Sequence, residues 1–157
     1  ETHKITLKPT MDKVPAKKLY FYRTALTLNS KLRTVDYEYS FEKLEAWKEW
    51  RKLVRWIYDI TDHFPKDERY GLVSQLRRAS VSVVSNLAEG SARKSPKDQA
   101  NFYQIAYSSL MEILNQMIIS NDLTFLKTEI LKEGRGLIEN LASKVATLRN
   151  SQLKKIE

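Results

Sequence analysis

The chain has 157 residues, 42% hydrophobic and 29% charged, which suffices for one domain with a core and is too apolar for global disorder. Only four Gly and four Pro disfavour an all-β protein with many tight turns, and the lack of Cys excludes disulfides, thiol catalysis and thiolate zinc sites. A net charge of +8 points to a polyanionic partner. No apolar run is long enough to span a bilayer and no secretory core is present, so no membrane partner is expected and a cytoplasmic location is. The sequence begins at Glu1 rather than Met, which leaves its natural start open.

Residues 1–39 read as an N-terminal extension, a tail or a loosely docked arm. Pro9 and Pro15 lie in a polar, Lys-rich stretch without helical or strand period. With eight Lys and Arg against four Asp and Glu, the extension holds half of the net charge. The segment Lys17-Lys18-Leu19-Tyr20-Phe21-Tyr22-Arg23 interleaves aromatics with cations, a weak signal for nucleic-acid contact.

Residues 40–157 read as an all-α, up-down-up-down four-helix bundle. Ser40 is placed as the cap of the first helix, with Glu42 in its first turn. Leu44, Trp47, Trp50, Val54, Ile57, Tyr58 and Thr61 follow at helical spacing until Pro65. A charged loop over 65–70 leads to a second helix from about Gly71 to Glu89, stopped by Gly90 as its C-cap. Ser95-Pro96-Lys97-Asp98 opens a third helix, with Ser95 as cap, Pro96 in the first helical position and Asp98 closing a capping box. It runs to about Ser120, and Asn121-Asp122 breaks the pattern. The fourth helix is expected from about Thr124 to Ser151 on Ile130, Leu131, Leu137, Ile138, Leu141, Val145 and Leu148. Gly134 and Gly136 near its start signal a bend or a close helix contact.

The second and third helices carry more apolar surface than one core face needs. Beside the stripe Leu72, Leu76, Ala79, Val83 and Leu87 lies a second one holding Val73, Val81, Val84 and Ala88. The third helix has Phe102, Ile105, Ala106, Leu110, Ile113 and Met117 on one side, and Tyr103, Tyr107, Met111, Leu114 and Ile118 on another. A homo-oligomer is therefore expected, with Val73, Arg77, Val84, Tyr103, Tyr107 and Leu114 at the contact. The competing reading is that the central helices are simply deeper in one bundle. Arg77 falls on the surplus stripe and needs a partner, for which Glu112 of a second subunit is the candidate.

Two groups of cations stand out as phosphate ligands. Lys48, Arg51, Lys52 and Arg55 share one face of the first helix, although Glu45, Glu49 and Asp59 are close enough to neutralise it. Arg93, Lys94 and Lys97 cluster where the free N–H groups of the third helix begin. The structural reading of that joint keeps Gly90 and Ser95 as caps, with Asn86 and Glu89 bonding the loop backbone. Catalytic signals are poor. The histidines are His3 and His63, no Glu-x-x-His spacing occurs, and no glycine-rich phosphate loop is present. No enzyme, cofactor or metal is expected.

The segments Phe41-Glu42-Lys43-Leu44-Glu45-Ala46-Trp47, Tyr70-Gly71-Leu72-Val73-Ser74-Gln75-Leu76-Arg77-Arg78-Ala79 and Ser85-Asn86-Leu87-Ala88-Glu89-Gly90, with Arg93, Lys94 and Ser95, resemble the bacterial 23S rRNA intervening-sequence proteins. The resemblance covers about residues 40–126, and the fourth helix by pattern. It implies a small four-helix bundle assembling as a homopentamer, without assigned catalytic residues. It also implies kinship with the accessory variability determinant of diversity-generating retroelements, a basic pentamer that binds nucleic acid and a reverse transcriptase. Ser80, Ser82 and Val84 depart from the Ala, Ile and Pro expected there. The reading is a non-enzymatic basic scaffold that binds RNA or DNA through Lys48, Arg51, Arg55, Arg93, Lys94 and Lys97. The alternative is an adaptor for a reverse transcriptase or another nucleic-acid enzyme.

Overall fold

The computed structural model describes residues 38–156, and the expectations for His3 and for the Lys17–Arg23 cluster lie outside them. Four helices follow one another: α1 (Glu45–Thr61), α2 (Leu72–Ala92), α3 (Pro96–Asp122) and α4 (Thr128–Leu153). Short 3₁₀ turns over Ser40–Lys43 and Lys66–Arg69 precede α1 and α2. Each helix packs on its two neighbours in the ring α1–α2–α3–α4, and neighbours run antiparallel, as short connections require. The core holds Trp50, Leu53 and Ile57 of α1, Leu76, Val83 and Leu87 of α2, Leu110, Ile113 and Met117 of α3, and Ile138, Leu141 and Val145 of α4. No helix among the described residues is long and apolar enough to cross a membrane.

The helix ends differ from expectation for local reasons. Ser40 does not cap α1, because Leu44 is extended and interrupts the helix between the 3₁₀ turn and Glu45. The Ser40 hydroxyl instead lies 3.3 Å from that of Ser91 and pins the turn to the end of α2. Gly90 is not a C-cap. No glycine among the described residues has positive φ, and α2 continues through Gly90 to Ala92. A Cβ at Gly90 would stand 2.8 Å from Tyr103 Cε1, so its use is the close approach of α3.

Ser95 caps α3, with its hydroxyl accepting the Asp98 N–H at 3.4 Å, one half of the expected box. α3 ends where Thr124 takes φ 62°, the left-handed conformation that stops a helix. The N–H groups of Phe125 and Leu126 then return to the Ser120 carbonyl at 2.9 and 3.1 Å. Thr124 therefore terminates α3 instead of opening α4. The Asn121 amide holds the joint by donating to the Leu126 carbonyl at 2.8 Å. Within α4 the close contact expected near the two glycines occurs at Gly134, where a Cβ would stand 2.8 Å from Trp56 Cη2. Gly136 faces open space.

Candidate nucleic-acid interface

The antiparallel ring brings the start of α1, the α2–α3 joint and the end of α4 to one end of the bundle. That end is where cations collect. Lys48 is bound to Glu45 at 2.9 Å. The bond and the charge of Lys48 hold the Glu45 carboxyl below its usual range, and Glu45 in turn raises the Lys48 ammonium. Arg51 lies over the Trp47 ring, 4.9 Å from its centroid, so the indole orients the guanidinium while its N–H edges face solvent. Arg55 is exposed, one turn further on. Glu49, expected to quench this stripe, is bound by Lys144 of α4 instead.

Arg93, Lys94 and Lys97 stand at the α2–α3 corner, all exposed. Arg93 stacks over Phe102 at 4.6 Å and makes only a long 3.8 Å contact with Glu89. Its carbonyl accepts the Gln99 amide at 2.6 Å, which fixes the corner. Gln99 therefore does what was expected of Asn86, whose amide donates to the Ser82 carbonyl inside α2 at 2.8 Å. Beside Lys97 a shallow groove is lined by Asn101, Gln104, Arg149 and Leu153. Arg149 is a cation that the sequence reading missed, because it falls on a half-buried flank of α4. The α2–α3 group thus stands together. The α1 stripe lies on the helix diagonal to α3 and shares only the end of the bundle with it.

The six residues expected at a subunit contact divide. Val73 and Tyr103 belong to the core, so they form no outward face, and burial pushes the Tyr103 phenol up. Val84, Tyr107 and Leu114 are half-buried against that core. Much of the apparent surplus is absorbed inside one bundle, while Val81, Ile105 and Ile119 remain exposed. Arg77 does not wait for Glu112. It donates to Asp62 Oδ1 at 2.6 Å and to Thr61 Oγ1 at 2.9 Å, and stacks 4.5 Å over Tyr58. Ser82, atypical for the resemblance, bonds Ser109 at 2.9 Å and ties α2 to α3. Among the described residues no three His, Asp or Glu side chains converge as metal ligands would.

A family model described as 23S rRNA-intervening sequence protein matches residues 42–147, from the turn before α1 into the last third of α4. No curated protein matches the chain.

Proposed function

The chain belongs to the 23S rRNA-intervening sequence protein family, and from that premise we propose that it is a non-enzymatic, basic, oligomeric scaffold that binds RNA or DNA through phosphate contacts. The observation that carries this reading is the corner formed by Arg93, Lys94 and Lys97. These side chains are exposed, stand beside the first turn of a long helix, and are held on a backbone fixed by Ser95 and Gln99. Arg51 and Arg55 extend the same charge along α1. Lys48 contributes least, since Glu45 already neutralises it. Assembly into a homo-oligomer, a pentamer by the family resemblance, would repeat the corner and turn weak contacts into useful avidity. Exposed Val81, Ile105 and Ile119 favour a second reading, an adaptor surface for a nucleic-acid enzyme such as a reverse transcriptase.

The test is a titration of labelled duplex RNA at several salt concentrations. Affinity should fall steeply with salt and depend little on sequence. Replacing Lys94 and Lys97 together by Ala should weaken every duplex similarly and lower the slope of log K against log salt by about two, one per lost phosphate contact. Duplex affinity that is the same at low and high salt refutes the reading.

A further inference from the structure

From the other end of α2 an open groove of about 650 Å³ runs along the helix as far as Ser85, large enough for a nucleotide-sized ligand. Its walls combine aromatic rings and arginines. Tyr70 closes the 3₁₀ turn before α2 and is 87% exposed. Tyr58 of α1 is 40% exposed and carries the Arg77 guanidinium on one face. Arg69 lies 5.9 Å from the Tyr70 ring centroid, and the Arg78 side chain has no hydrogen bond or ion pair with any described residue. Both are exposed. The floor is apolar, with Val73 and Ala79 beneath and Val81 at the edge.

Two of the carboxylates nearby are held by other groups. Asp62 accepts from Arg77, and Glu68 accepts the Leu72 N–H at 2.9 Å. Glu112 is the acid that lines the groove, and it accepts the Gln116 amide at 3.1 Å. Arg69, Arg77 and Arg78 line the groove against the single carboxylate of Glu112, so its lining is net cationic although this end of the bundle is rich in Asp and Glu. An exposed ring beside unpaired guanidinium groups is suited to an unstacked base with flanking phosphates. A duplex, whose bases are already stacked, offers nothing to Tyr70.

We infer that this groove binds unpaired nucleotides of a single-stranded RNA or DNA, with a base stacked on Tyr70 and the flanking phosphates on Arg69 and Arg78. The rigid support is in the structure. Glu68 fixes the turn that presents Tyr70, and the Thr61–Asp62–Arg77 cluster holds the opposite wall. The inference does not rest on the basic corner. The two sites lie at opposite ends of α2.

The experiment uses the full chain and a labelled single-stranded RNA of about six nucleotides, within the range of a single stacking groove. Tyr70→Ala and Arg78→Gln should each weaken it about tenfold, and Tyr70→Phe, which keeps the ring, should stay within about twofold of the wild type. Both altered side chains are exposed, so the fold should persist. Duplex affinity should be unchanged in these variants. Replacing Lys94 and Lys97 should give the opposite pattern, so failure of either site is visible with the other intact. Wild-type hexamer binding by Tyr70→Ala would overturn the inference. So would equal losses for hexamer and duplex, or displacement of the hexamer by an acidic peptide as readily as by unlabelled RNA. Dissociation of an oligomer by Tyr70→Ala, read by light scattering, would make the groove a contact between copies and overturn it too.

Discussion

Gly90→Ala tests whether α2 and α3 are held as closely as the structure shows. Gly90 sits inside a helix with ordinary dihedrals, so Ala gains about 1 kcal/mol of helix propensity. The new Cβ would stand 2.8 Å from Tyr103 Cε1, 3.1 Å from Tyr103 Cδ1 and 3.0 Å from Phe102 Cβ. Comfortable carbon contacts are about 3.5–4.0 Å. Tyr103 is only 3% exposed, so its ring has little room to swing, and Phe102 Cβ moves only with the α3 backbone. Overpacking of this kind costs about 1–3 kcal/mol, which exceeds the propensity gain and leaves a net loss of about 1 kcal/mol. Gly136→Ala is the control. It lies in α4 with nothing within 4 Å of a new Cβ, and should stabilise the bundle by about 1 kcal/mol. The two variants should differ by about 2 kcal/mol, or roughly 8 °C in Tm for a bundle of this size. Urea unfolding followed by circular dichroism, at one protomer concentration, measures the difference. If Gly90→Ala is as stable as Gly136→Ala, the close contact carries no cost and the reasoning fails.

Two further outcomes follow from single side chains. Thr124→Gly should raise stability by about 1 kcal/mol in the same unfolding assay, because a β-branched residue is costly at φ 62° and glycine is not; a loss would show that the Thr124 side chain makes up for its strain. Tyr103 should titrate above the usual phenol range, since burial disfavours phenolate. The unfolded chain ionises first, so the contribution of Tyr103 is intact below the ordinary phenol pKa and is lost as pH rises through the folded one. Absorbance titration should show one late phenol that disappears in Tyr103→Phe, and its persistence there would refute the assignment.

The apolar period of 3.6 reveals four helices because each must bury at least one face. In α4 a single stripe through Ile138, Leu141 and Val145 meets the core, although the helix starts at Thr128 and not near Thr124. The ends are harder, since what stops a helix is often tertiary. Gly90 looks like a stop, yet the ring of Tyr103 demands a glycine inside the helix. Thr124 looks helical, yet its backbone turns left-handed so that two N–H groups can close on Ser120. A helical wheel also cannot weigh depth. Val73 and Ile105 both fall on apolar stripes, but one is core and the other is 40% exposed. The partner of Arg77 was obscured because Asp62 lies across the α1–α2 corner, a geometry that spacing along one helix does not encode. Tyr70 and Arg69 carried no signal of a binding site, since only the folded corner sets them beside Tyr58.

Net charge alone misplaces the sites, and the pairing of each carboxylate corrects it. At the basic end Glu45 and Glu49 are taken by Lys48 and Lys144, which leaves Arg51, Arg55, Lys94 and Lys97 free for an external anion. At the other end carboxylates are more numerous, but Asp62 and Glu68 are spent on Arg77 and on the α2 backbone. Arg69 and Arg78 form no ion pair with a described residue, in a region that sequence counting marks as acidic. Exposed ion pairs contribute little to stability, so these pairings matter more for which cations they leave available. A polyanion meeting this surface would find Lys and Arg on a rigid helical corner at one end of α2, and guanidinium groups beside exposed aromatic rings at the other. The first arrangement suits a regular phosphate backbone. The second suits bases that have left their stack. An RNA with a duplex stem and an unpaired segment presents both features, and binding it through the two sites of one protomer should exceed what either site achieves alone.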